Sequence, residues 1–200
     1  MKRILDIVVS SIGLICLLPL LLVVALLIKL DSTGPVFFRQ TRMGRRFRPF
    51  QILKFRTMVQ DSATRGKSIT VGDDPRIIRV GWFFCKAKID ELPQLINVLR
   101  GEMTFVGPRP EVPRYVEIFR KDYEEILKIR PGITDLASIK YRDEAALLGQ
   151  SENPEEEYIR RILPDKIKLE KEYIRCSSFM LDLKLIFKTL LTIFESKASF

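Results

Sequence analysis

Residues 4–28 form an almost continuous apolar run, interrupted only by Asp6, Ser10, Ser11, Gly13 and Pro19. At about 1.5 Å per residue, a helix over this stretch is about 37 Å long, enough to cross the hydrocarbon core of a bilayer. A secretory signal has a shorter apolar region and a small-residue cleavage site, and neither is evident here. The segment is therefore expected to stay and to hold the protein on a membrane. Pro19 sits near its middle, where a missing N–H and a ring clash predict a kink. Lys2 and Arg3 precede the run and Lys29 follows it, so the positive-inside rule assigns no orientation. Two paths stay open: an ordinary spanning helix with a proline kink, which the physics alone favours, and a helix that bends at Leu18-Pro19 and returns to the same face.

Beyond the run the pattern changes. Residues 36–38 and 51–55 predict short strands around a Gly/Pro-containing turn. Residues 66–74 are polar and turn-rich and predict a loop. Gly66-Lys67-Ser68 is not a P-loop, because Asp61 stands where the first glycine is required. Asp73-Asp74-Pro75 reads as a turn in preference to a metal-binding pair. From Ile89 the period becomes helical, with Leu92, Leu95, Ile96 and Leu99 on one face and Gly101 closing the helix. Asn153-Pro154-Glu155 predicts another helix start, with an Asn cap and Pro at the first position. Phe179, Leu183, Ile186, Phe187, Leu190 and Phe194 recur at helical spacing with Lys184 and Lys188 on another face. That helix either packs on the core or lies in a membrane interface. The expected class is α+β, mainly helical: a membrane anchor over residues 1–30 and one domain over 31–200.

Charge narrows the partners. The chain has 34 basic and 25 acidic residues, a formal net charge of +9, which suits an anionic partner. Residues 32–60 contain no acid but carry Arg39, Arg42, Arg45, Arg46, Arg48, Lys54 and Arg56, interleaved with Phe37, Phe38, Phe47, Phe50 and Phe55. Directly after an anchor, this reads as a patch at lipid-headgroup level. Nucleic acid would use the same composition, but no recognised module is present, and no nucleic-acid partner is expected. The chain has no histidine, which excludes a Ser/His/Asp triad and imidazole zinc sites. Cys16, Cys85 and Cys176 are widely spaced and odd in number, so a disulfide framework is not expected.

Carboxylates must then carry the chemistry. Asp90-Glu91 opens the predicted helix, where Pro93 is tolerated because first-turn N–H groups have no intrahelical partner. The helix N-terminus favours ionised carboxylates and phosphate oxygens, and Lys86 and Lys88 precede the pair. An ionised Asp90 near a divalent metal can attack phosphorus and form an acyl-phosphate, and Mg²⁺ suits a site of one or two carboxylates plus substrate phosphates. The competing reading is a capping Asp with a dipole-compensating Glu. Downstream, Gly107, Pro108 and Pro110 stiffen a turn that presents Arg109, which suits bidentate phosphate binding or simply a solvated surface turn. Arg130-Pro131-Gly132-Ile133-Thr134 is a second stiff turn, with Arg142 beyond it.

KFRTM at 54–58, DELPQLINVL at 90–99, VGPRP at 106–110 and PGIT at 131–134 occur in one order. With these blocks the chain resembles the bacterial sugar transferase family, the monotopic polyprenyl-phosphate phosphoglycosyl transferases. The match runs from Lys2-Arg3 through GPVFFRQ at 34–40 to Asp182-Leu183-Lys184, and the length is similar to the minimal catalytic members. The resemblance implies transfer of a sugar-1-phosphate from a nucleotide-sugar, of the UDP type, to polyprenyl (undecaprenyl) phosphate. It implies that Asp90 attacks the β-phosphate, releasing nucleoside monophosphate, and that Glu91 positions Mg²⁺ or handles a proton. Arg56, Arg109 and Arg142 match basic positions that hold phosphate or nucleotide, and Asp182 matches a carboxylate near the site, with a structural ion pair as its alternative. Cys85 stands where relatives often carry Arg, and Lys86 is the candidate to supply that phosphate contact. The resemblance also implies a re-entrant anchor broken at Pro19, interfacial amphipathic helices, and a small catalytic domain on the cytoplasmic face of the bacterial inner membrane. Leu18 stands where some relatives carry Ser.

Overall fold

The structure, a computed structural model, describes residues 2–59 and 74–195, with side chains described as far as residue 192. The expected loop at 66–73, with Gly66-Lys67-Ser68 and Asp73, lies outside the described residues, as does Asp61. Asp74 sits in a turn. Its carbonyl accepts the Ile77 N–H at 3.0 Å, and its carboxylate accepts from the Arg76 main chain at 3.0 Å and from Arg76 Nε at 2.8 Å.

Two compact units divide the chain, Met1–Gln40 with Gln51–Gly101, and Thr41–Phe50 with Glu102–Phe200. Among the described residues the fold is mainly helical, with two small two-stranded sheets.

The first unit begins with α1 (Lys2–Asp31), which is long and apolar enough, by length and composition, to cross a membrane. Helical structure continues through Pro19. Much of its apolar surface is open, Ile15 being 73% exposed and Leu30 75%, whereas Asp6 and Ser10 are buried. Ser10 Oγ donates back to the Asp6 carbonyl at 2.6 Å, which satisfies the hydroxyl within the helix. Near the other end, Val24 and Ile28 join Phe55, Ile78 and Phe84 in one core cluster. The strands β1 (Phe37–Met43) and β2 (Pro49–Phe55) pair with each other, longer than the two segments expected from sequence. Helix α2 (Arg79–Lys86) leads to a 3-10 turn at Ile89–Glu91 and to α3 (Gln94–Arg100).

The single helix expected from Ile89 is thus divided. Pro93 has no N–H to give the Ile89 carbonyl, so that carbonyl takes the Leu92 N–H at 3.2 Å and the turn tightens. The buried face also differs from the apolar one. Gln94, Leu95, Asn97 and Val98 are buried, and Leu99 is exposed. Asn97 turns inward because it bonds β2: its Oδ1 accepts the Leu53 N–H at 3.0 Å and its Nδ2 donates to the Gln51 carbonyl at 2.8 Å. Gly101 does close α3, with φ +82°, a conformation that strains any other L-residue. The Arg3 guanidinium donates to the Val98 and Leu99 carbonyls at the end of α3, at 2.5 and 2.7 Å.

In the second unit, β3 (Thr104–Val106) pairs in parallel with β4 (Gly132–Thr134), Thr104 opposite Gly132 and Val106 opposite Thr134. Just past the end of β3 the backbones nearly touch: a Cβ on Gly132, the first residue of β4, would lie 2.1 Å from Gly107 N. Around this pair run α4 (Pro113–Ile118), α5 (Arg120–Ile126), α6 (Leu136–Lys140), α7 (Glu144–Gly149), α8 (Pro154–Glu157), a π-helical turn at Tyr158–Ile162, α9 (Leu163–Cys176) and α10 (Phe179–Glu195). The expected cap at Asn153 is present, its side chain accepting the Glu156 N–H. Val106, Tyr173 and Leu185 form a core cluster. On helix α10 Leu185 is buried in the core, while Phe179, Met180 and Phe187 remain well exposed.

Candidate active site

The basic stretch at 39–56 does not survive as one surface. Arg39, Arg45, Arg46 and Arg48 are exposed. Arg42 instead pairs with Glu111 at 3.0 Å and Lys54 with Glu91 at 2.8 Å, while Arg56 is buried. The Arg56 guanidinium donates to the Thr33 carbonyl, and through Nη2 to the Ser32 carbonyl and hydroxyl at 2.8 and 2.7 Å. Arg56 therefore binds the end of α1 to the end of β2, and its burial lowers the guanidinium pKa. A substrate-facing role was expected of it from the sequence; in the structure its guanidinium is turned to Ser32 and Thr33.

Asp90 lies in the 3-10 turn and is 7% exposed. Lys88, immediately before that turn, has φ +56°, a left-handed conformation uncommon for a residue with a side chain. This conformation reverses the chain after α2 so that the Lys88 carbonyl accepts the Glu91 N–H at 3.3 Å. Glu91 meets Lys54, which projects from β2, and the Asn97 bonds to the β2 main chain on either side of Ile52 fix that strand against α3. Burial and the neighbouring Asp90 charge push the Cys85 thiol up, against a hydrogen bond with Thr57 and the charges of Lys54 and Lys88. Cys85 is thus a neutral thiol beside Asp90. Lys86 stands on α2 with its Nζ 4.9 Å from the Trp82 ring centroid.

The structure brings together Asp90, Glu91, Lys54, Cys85 and Asn97 within the first unit. Lys54 and Asn97 lie inside the KFRTM and DELPQLINVL blocks; sequence reasoning placed Lys54 in the basic headgroup-level patch and gave Asn97 no role. A carboxylate needing a cation was the missed signal for Lys54, while Asn97 carried none, since it interrupts the apolar period.

Arg109, Arg142 and Asp182 belong to the second unit. Arg109 is half-buried; its main-chain N–H donates to Asp135 Oδ2 at 3.2 Å and its Nη1 to the Ile133 carbonyl at 3.3 Å. Arg142 lies in the turn between α6 and α7. Asp182 sits in the first turn of α10, where the Tyr173 hydroxyl donates to its Oδ1 at 2.6 Å. That bond ties α10 to α9.

Among the described residues, no group of three or more Asp, Glu, His or Cys converges as a metal site. A cation that needs a full protein cage does not fit. Asp90 and Glu91 fit one that takes most of its ligands from water and substrate phosphates, as Mg²⁺ does.

The sequence model of a family described as bacterial sugar transferase matches residues 1–196. The chain is 37% identical over 204 residues to the UDP-glucose:undecaprenyl-phosphate glucose-1-phosphate transferase of Escherichia coli (strain K12), covering 100% of this chain and 41% of that protein. It is 39% identical over 197 residues to the UDP-N-acetylgalactosamine-undecaprenyl-phosphate N-acetylgalactosaminephosphotransferase of Aeromonas hydrophila, covering 96% of this chain and 43% of that one. It is 38% identical over 200 residues to the exopolysaccharide production protein PSS of Rhizobium leguminosarum bv. phaseoli, covering 96% and 94%. The chain thus spans less than half the length of the first two of these relatives.

Proposed function

The chain belongs to the bacterial sugar transferase family, and on that premise we propose that it transfers a sugar-1-phosphate from a UDP-sugar to undecaprenyl phosphate, releasing UMP, as the first step of a glycoconjugate such as an exopolysaccharide. The observation that carries this reading is the arrangement at 88–91. There a left-handed residue and a 3-10 turn hold Asp90 in a mostly buried position, beside a neutral thiol and a Glu91 already neutralised by Lys54.

The ionised Asp90 carboxylate attacks the β-phosphorus. An O–P bond forms to Asp90 as the bond from that phosphorus to the bridging oxygen breaks, and UMP leaves with the bridging oxygen. A phosphate oxygen of undecaprenyl phosphate then attacks the same phosphorus, and the Asp90 carboxylate leaves, regenerated. Glu91, held by Lys54, positions the diphosphate assembly. Asp90 and Glu91 would hold Mg²⁺, whose contribution when bound is to offset diphosphate charge. Arg109 and Arg142 bind phosphate or nucleotide groups, with Lys86 as a further cation and Asp182 positioned by Tyr173. We assign Arg56 to holding the anchor.

We place α1 in the inner membrane as a re-entrant helix bent at Pro19, with the rest of the chain on the cytoplasmic face. Contacts distributed along α1 support this. Arg3 bonds Val98 and Leu99, Gly13 lies against Leu95, Val24 and Ile28 enter the core cluster, and Asp31 accepts the Val80 N–H at 3.3 Å. Thirty helical residues extend about 45 Å, and an upright spanning helix would meet its own unit at one end only. Single cysteines introduced near each end and labelled from the cytoplasmic side test the path; labelling of one end alone rejects it.

The reaction is tested with detergent-purified protein, Mg²⁺, undecaprenyl phosphate and a panel of UDP-sugars. UMP release that requires the lipid, with a phosphosugar adduct on Asp90 in acid-quenched protein, is expected. UDP release would identify simple glycosyl transfer instead.

A further inference from the structure

Asn97 is fully buried on α3, on the side that also carries Leu95 and Val98. A leucine there would continue the apolar face at similar size, so the amide calls for a reason. Its two polar atoms grip the main chain of β2: Oδ1 accepts the Leu53 N–H at 3.0 Å and Nδ2 donates to the Gln51 carbonyl at 2.8 Å. In an extended strand, residues two apart turn their main-chain polar groups to the same edge. Among the described residues β2 has one partner strand, β1. The Asn97 amide therefore offers β2 the donor and acceptor that a further strand would supply.

Two bonds set two residues apart define a register. Side chains alternate between the faces of a strand, so a slip of β2 by one residue would turn Lys54 to the opposite face. Held as it is, β2 brings Lys54 Nζ to 2.8 Å from Glu91 Oε1. Glu91 and Asn97 belong to one run of chain, the 3-10 turn at Ile89–Glu91 followed by α3. The segment that supplies the carboxylate thus also fixes the strand that supplies its cation. The Lys54 and Glu91 side chains are only 23% and 13% exposed, so water would replace a misplaced Lys54 poorly.

We propose that Asn97 is a positioning residue for the Asp90-Glu91 pair: it sets the register of β2 against α3, so that Lys54 holds Glu91 beside the nucleophile. Asn97 acts through Lys54. The proposal rests on the reading of Asp90 and Glu91 as the reacting pair.

The test is a double-mutant cycle on lipid-dependent UMP release, with Asn97→Leu, Lys54→Met and the two combined. Asn97→Leu removes both bonds to β2 and should lower kcat/KM by about tenfold. In the Lys54→Met background the same substitution should cost less than about twofold, because the group it positions is already gone. Hydrogen exchange of the peptide covering residues 50–56 reads the grip without activity, and about tenfold faster exchange at Leu53 is expected in Asn97→Leu. Costs that multiply in the double variant would overturn the proposal, because Asn97 would then act independently of Lys54. Unchanged kcat/KM in a folded Asn97→Leu protein would overturn it as well, whatever the exchange shows. If Asn97→Leu does not fold, Asn97→Asp, which keeps the acceptor for Leu53 and loses the donor to Gln51, carries the same cycle. Absence of UMP release from the wild-type protein would sink the transferase reading and this proposal with it. Wild-type release with independent costs would overturn this proposal alone.

Discussion

Two carboxyl pairs in this protein have similar composition and opposite surroundings. Asp90 and Glu91 sit on a one-turn 3-10 element, with Lys54 supplying a cation to Glu91 and Asp90 retaining some exposure. Asp135 and Glu170 come from different elements and are closed off from water; Asp135 meets main-chain and hydroxyl donors, whereas Glu170 keeps one buried oxygen without a partner. The difference is what a carboxyl is surrounded by. The first pair can receive a substrate and exchange its partners for phosphates. In the second, Asp135 is committed to the main chain and hydroxyl it holds.

The largest effect should come from removing the nucleophile of the first pair. Asp90→Asn should lower UMP release by about 10³-fold or more and abolish the phosphosugar adduct, with little change in thermal unfolding. Asp135→Ala should act in the reverse sense, costing about 2–3 kcal/mol of stability by removing the α6 cap and a buried acceptor. Denaturant unfolding in detergent measures it. If Asp135→Ala proved as stable as the wild type but inactive, the contrast between the pairs would fail.

Lys54→Met leaves Glu91 without its cation in a mostly buried setting. Loss of a charged hydrogen bond there should lower kcat/KM by roughly 10- to 100-fold, with partial recovery in Lys54→Arg. A variant with unchanged kcat/KM would remove Lys54 from the site.

The smallest effect is a slope. A carboxyl whose folded pKa is raised, as burial raises that of Glu170, binds a proton more tightly in the folded state, so its contribution to stability falls as pH rises above the ordinary glutamate pKa. Glu170→Gln cannot lose that proton, and its stability relative to wild type should therefore improve with rising pH over that window. Glu111 has the opposite sign. Burial opposes its charge, but Arg42, Lys166 and the hydrogen bonds from Tyr158 and Val112 together lower its pKa, so its contribution is present at neutral pH and lost on acidification. Thermal unfolding across pH in wild type, Glu170→Gln and Glu111→Gln checks both directions.

Much of this molecule was legible along the chain because its signals are local. The apolar run of α1, the Asn153 cap and the Gly101 stop each depend on residues a few positions apart, and the mainly helical class follows from them. The DELPQL and VGPRP blocks marked the Asp90-Glu91 and Arg109 regions for the same reason. The tertiary structure alone decided how the cations are apportioned. Arg42, Lys54 and Arg56 look equivalent in a basic stretch, yet one meets Glu111, one meets Glu91 and one closes on Ser32 and Thr33. It also decided that Asn97 faces inward, that Asp6 and Ser10 are covered while their apolar neighbours are exposed, and that Asp135 takes the Arg109 N–H. Hydrophobic period and capping are one-dimensional properties of neighbouring residues, whereas a buried polar group such as Asn97 is defined by a partner far along the sequence, Leu53, 44 residues away.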